Sequence, residues 1–135
     1  TQLVPTPQYP DGPSLKDTCS PPMTAASPST FLLKFHTSYG SFTASCVRSR
    51  YPAQVDRVYN LARLGYYSQN YFFRVVDGPR ISIVQFGTSG LPDVSNVYNY
   101  ESTDMGQCAV VQPQPAEDVI GIPMETNGRG WISMR

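Results

Sequence analysis

The chain has 135 residues, 40% of them hydrophobic and only 15% charged, with 10 acids balancing 10 bases. That length suits one domain with one core, and the zero balance removes any electrostatic case for nucleic acid or an acidic membrane surface. No apolar run approaches the roughly 20 residues needed to span a bilayer.

The sequence opens on Thr1, which points to a removed leader, hence a secretory or organelle-lumen setting, or to a trimmed start. Cys19, Cys46 and Cys108 are too scattered for a CxxC zinc or redox motif; they allow one disulfide with one free thiol, or three buried thiols. Residues 1–30 hold seven of the 13 prolines and almost no apolar period. Such a segment is not expected to keep a helix or a central strand. It reads as an extended arm on a partner or on its own domain, with a floppy leader remnant as the alternative.

The folded domain is expected over residues 31–135. Phe31–His36 is a β run, "TSYG" is turn-like, and Phe42, Ala44 and Cys46 alternate with Thr43 and Ser45, which predicts a hairpin with one buried face. Residues 52–64 predict a helix: Pro52 suits its first turn, Val55, Val58, Tyr59 and Ala62 share a face, and Gly65 supplies a left-handed stop. Two strands are expected at about Tyr71–Val76 and Ile81–Phe86, joined by "DGPR". Residues 88–130 read as irregular and polar, and "GWISM" as a last short strand. The pattern predicts a mainly β domain.

The stretch "QNYFFRVVDGPRISIVQFG" places Arg74 between two apolar runs, with Gln85 closing the second. Together with "AQVDRVYNLARLGYYSQNYFFRVVDG", "VQFGTSGLPDVS" and "ETNGRGWISM", it resembles the cyclophilins, in a divergent branch carrying "VQFG". The resemblance covers roughly residues 31–134. It implies a β-barrel capped by helices, incomplete in this chain, with the 52–64 helix as one cap, and prolyl cis–trans isomerase ancestry without a cofactor or a metal. An X–Pro bond isomerises in tens to hundreds of seconds, because rotation breaks amide resonance across a barrier of about 18–20 kcal/mol. A guanidinium donating toward the prolyl nitrogen favours the twisted, pyramidal state, and an amide can hold the neighbouring backbone. By resemblance, Arg74 matches the catalytic arginine and Gln85 the substrate-backbone glutamine. The competing reading of Arg74 is a snorkelling side chain or a partner of Asp77.

Several departures point away from catalysis. Phe73 stands where the family usually has histidine, a change shared by the divergent branch. The stretch between Gly78 and Gln85 is about three residues longer than the family's spacing, so the pocket phenylalanine has no counterpart nearer than Pro79 or Ser82. The same stretch adds Arg80, which would be a costly neighbour of an apolar pocket unless it faces water. His36, the only histidine, is expected at the surface or in the core, and Trp131 in the core. The chain ends at "ISMR", before the aromatic pocket wall of the family, so strand edges and apolar faces are expected to lie open. The expectation is therefore a cyclophilin-like, non-catalytic structural or assembly module. Another protein chain or a cleaved C-terminal fragment would complete it, and residues 1–30 would contact a neighbour. The alternative is a prolyl isomerase acting on a proline-containing peptide once its missing half is supplied.

Overall fold

A computed structural model describes residues 1–80 and 82–98. Cys108, most of the 88–130 stretch and the "GWISM" strand lie outside the described residues. In chain order the elements are β1 (Gln2–Leu3), α1 (Gly12–Lys16), α2 (Pro21–Thr24), β2 (Thr30–Thr37), β3 (Gly40–Val47), α3 (Pro52–Arg63), β4 (Arg74–Asp77), β5 (Ser82–Gln85) and α4 (Pro92–Tyr98).

The expected hairpin is β2–β3, antiparallel and in register from Thr30↔Val47 to Thr37↔Gly40. Alternation along β2 buries Phe31 and Leu33 and leaves Lys34 and His36 exposed, so the strand has one core face. Gly40 takes φ +126° after the two-residue turn, a conformation that favours glycine. His36 sits at the surface as one of its two readings had it, its Nδ1 3.0 Å from the Ser41 hydroxyl across the hairpin.

The predicted helix is α3, within a residue of its expected end. Ala62 is buried against Val4, Phe31 and Leu33, and Val55, Val58 and Tyr59 pack on the same cluster, so all four expected core residues face inward. The opposite side of α3 serves a second cluster, where Leu61 joins Leu15, Met23, Tyr66 and Val94. The helix is therefore sandwiched, with the sheet on one side and the short helices on the other. Phe31, with no exposed surface, contributes about 1.5–3 kcal/mol by burial alone.

Gly65 ends the helix at φ +74°, the left-handed stop its position predicted. A Cβ there would come within 2.8 Å of both the Pro7 side chain and the Tyr9 carbonyl oxygen, so glycine is required for space as well as for φ.

Residues 1–30 lie on their own domain, the second of the two placements open to an arm. β1 pairs parallel with β2, extended by the Val4 N–H donating to the Leu32 carbonyl at 3.0 Å. Val4, Leu15 and Met23 are buried. The expectation that prolines would exclude helices here needs correction. α1 and α2 both form with proline in their first two positions, where the missing N–H has no helical acceptor to lose. The Asp11 side chain caps α1 through the Ser14 N–H.

A further difference is α4, which replaces irregular chain over Pro92–Tyr98. Helix and strand consequently share the described residues about equally. The strands form a three-stranded mixed sheet, β1-β2-β3, and a separate two-stranded sheet, β4-β5; among the described residues they do not close a barrel.

Candidate functional site

The β4–β5 hairpin carries both residues expected at the site. Its register sets Arg74 opposite Gln85, Val75 opposite Val84, Val76 opposite Ile83 and Asp77 opposite Ser82. Because side chains alternate along a strand and paired residues share a face, Arg74, Gln85, Val76 and Ile83 lie on one face. Val75, Val84, Asp77 and Ser82 lie on the other. The Phe73 N–H donates to the Gln85 carbonyl at 3.1 Å, which carries the ladder one residue past β4 toward the base.

This geometry removes one reading of Arg74, a pairing with Asp77. Asp77 is on the opposite face and accepts from the Ser82 hydroxyl at 3.3 Å. Arg74 is exposed and makes no ion pair among the described residues. Among the described residues it is an unengaged guanidinium beside an amide.

The base of the hairpin is held by aromatic contacts. Phe86, directly after Gln85, meets Phe72 at 5.6 Å and 90°, Phe35 at 5.7 Å and 82°, and Tyr67 at 6.1 Å and 69°. Phe35 stacks in turn on Phe42 at 4.7 Å. These edge-to-face geometries suit the ring quadrupoles and add about 0.5–1.5 kcal/mol per pair beyond area burial. The Tyr66 hydroxyl donates to the Gly87 carbonyl at 2.7 Å, fixing the exit from β5. Burial raises the pKa of the Tyr66 and Tyr67 phenols, so both stay neutral hydrogen-bonding groups. The rest of the hairpin stands clear: Val75 is 64% and Val84 56% exposed, and Pro79 and Arg80 are exposed as well.

Sequence reasoning passed over Arg57, on α3. Its guanidinium carbon lies 4.8 Å from the centre of the Tyr98 ring, while one terminal nitrogen is buried with no hydrogen-bond partner among the described residues. Burial lowers its pKa, opposed by Tyr98, Tyr67 and Tyr66. The signal in the sequence was a cation one position off the apolar face of α3, which only the packing of Tyr98 makes unusual.

A cavity of about 150 Å³ opens between α2 and α3, lined by Met23, Ala53, Asp56, Arg57 and Asn60 among others. Its carboxylate is already committed. Asp56 accepts from the Arg48 guanidinium at 2.8 and 2.9 Å and from the Ser27 hydroxyl at 2.7 Å. Burial pushes the Asp56 carboxyl up, but Arg48 and Ser27 together outweigh it and hold the group below its ordinary value. The Asn60 amide is equally engaged, donating to the Met23 and Ala25 carbonyls. The cavity shares no lining residue with the hairpin.

Among the described residues no cluster of His, Cys, Asp and Glu could hold a metal ion, and no helix is long and apolar enough to cross a membrane. Cys19 is disulfide-bonded and Cys46 is a free, half-buried thiol, which selects the first of the two cysteine arrangements. Comparison with family models, curated proteins and solved structures gives no match.

Proposed function

We propose that this chain is a cyclophilin-type module whose β4–β5 hairpin engages X–Pro peptides and assists their isomerisation. The observation that carries the reading is the direct opposition of Arg74 and Gln85 on one exposed face. A donor without an ion-pair partner among the described residues and an amide, side by side, are the two groups this chemistry asks for. The guanidinium would donate to the prolyl nitrogen as it pyramidalises, when the lone pair leaves amide resonance. The Gln85 amide would hold the adjacent backbone. Such stabilisation acts on the twisted state and not on the planar one, so it lowers the barrier with no covalent step.

The test is cis–trans exchange of a blocked Ala-Gly-Pro-Ala peptide, followed by NMR, with the chain added. Any catalysis by this site should fall about 10²-fold in Arg74→Ala, the scale for removing one electrostatic donor. An Arg74→Ala protein that is folded and as active as the original would reject the assignment.

A second reading has its own support: a non-catalytic structural or assembly module, with a cyclophilin-like barrel completed by another chain. Val75 and Val84 on one hairpin face, and Val76 and Ile83 on the other, are all exposed. A two-stranded hairpin gains little stability alone, and apolar groups on both faces favour a structure that adds strands or layers. Absence of exchange catalysis, with the natural material sedimenting as a complex with a second polypeptide, would favour this reading over the first.

A further inference from the structure

We propose that the peptide bound at the β4–β5 hairpin carries a carboxylate side chain a few residues from its proline, recognised by Arg80. The inference rests on the reading of Arg74 and Gln85 as an X–Pro site and narrows the substrate class of that site.

Arg80 lies in the loop closed by the last ladder pair, Asp77↔Ser82, at the end of the hairpin away from the Phe86 anchor. Arg80 is exposed and, like Arg74, makes no ion pair among the described residues. Asp77 accepts from the Ser82 hydroxyl and forms no ion pair with either arginine among the described residues. Two guanidinium groups without an ion pair among the described residues therefore mark the hairpin near its two ends. Between them, on the Arg74 face, lies the apolar Val76–Ile83 pair, 37% and 41% exposed.

An extended peptide running along that face meets a guanidinium at the base, an apolar step, and a second guanidinium at the tip. Asp77 lies three residue steps along β4 from Arg74, about 10 Å at roughly 3.3 Å per residue. The Arg80 side chain extends that reach, which places its partner about four residues from the proline. Arginine presents a planar fork that fits a carboxylate in two parallel hydrogen bonds. Two arginines and one aspartate leave residues 74–85 a net charge of +1, so an acidic side chain beside Arg80 gains attraction where a lysine meets repulsion.

Blocked peptides with one proline among alanines test this, with Glu or Lys placed four residues before or four residues after the proline. Their dissociation constants are measured on the whole chain at low and high salt. At low salt, one of the two Glu peptides should bind about two- to five-fold tighter than its Lys counterpart, the range for an exposed ion pair. The ratio should shrink at high salt as screening shortens the field. In Arg80→Gln the ratio should fall to one. Equal affinities for Glu and Lys at both positions overturn the proposal, as does a preference that survives Arg80→Gln. If the all-alanine proline peptide binds and Arg74→Ala weakens it while no Glu preference exists, only the Arg80 role is lost. If no proline peptide binds at all, the X–Pro reading falls and this inference with it.

Discussion

The Asn60 side chain, 1% exposed, donates to the Met23 carbonyl at 3.1 Å and ties α3 to α2 across 37 residues of sequence. The same amide donates to the Ala25 carbonyl at 2.7 Å. A single buried side chain thus satisfies two carbonyls near the C-terminal end of α2, where a four-residue helix leaves its acceptors without helical donors. Asn60→Ala is expected to destabilise the fold by about 1–3 kcal/mol, the cost of leaving buried acceptors unpaired. Denaturant unfolding of both proteins gives the number directly; a loss within error of zero would show that water replaces the amide.

Gly65→Ala should be costly for two separable reasons. The φ of +74° is strained for any residue with a Cβ, and that Cβ would meet Pro7 and the Tyr9 carbonyl. The expected loss is about 1–3 kcal/mol from backbone strain, with additional cost from the clash. Adding Pro7→Ala should recover only part of it, because the Tyr9 oxygen belongs to the backbone. Complete recovery in the double variant would place the whole penalty on Pro7.

Asp56 predicts a pH dependence. Its folded pKa lies below the ordinary value because Arg48 and Ser27 stabilise the ionised form against burial. In the unfolded chain the carboxyl titrates near 3.9. The unfolded state therefore binds the proton first, so the contribution is present above about pH 4 and is lost as pH falls through the lower folded pKa. Asp56→Asn should flatten this part of the stability profile between about pH 5 and pH 2 relative to the original chain. Parallel profiles for the two proteins would count against the Arg48–Asp56 pair as a stabilising contact.

Cys46 and Cys19 should differ in reactivity. Burial raises the Cys46 thiol pKa, so little thiolate exists at neutral pH and alkylation of the native chain should be slow. Iodoacetamide labelling followed by peptide mass mapping should find Cys46 modified without reductant and Cys19 only after reduction. Rapid native labelling of Cys46, comparable with that of a small thiol, would contradict its half-buried setting on β3.

The sequence by itself determined the elements whose causes are local. An apolar stripe at helical spacing, with Pro52 before it and Gly65 after it, specifies α3 and its inward face. An apolar run specifies β2, alternation specifies β3, and the turn chemistry of "TSYG" and "DGPR" specifies two hairpins. Arg74 and Gln85 were legible as a pair through a resemblance, while their cross-strand opposition came from the hairpin register. What only the tertiary structure decided has long-range causes. α1, α2 and α4 are too short to display a period, and the first two sit in proline-rich chain. They persist because Leu15, Met23 and Val94 bury against α3 and because Asn60 and Arg63 donate to α2 carbonyls. The neutral or unpaired state of a charge is equally non-local. Asp77 is three residues from Arg74 yet faces away from it, whereas Arg48 and Asp56 meet because the chain turns from β3 into α3. Contact energies of that kind depend on which surfaces the chain brings together, and no window of neighbouring residues contains them.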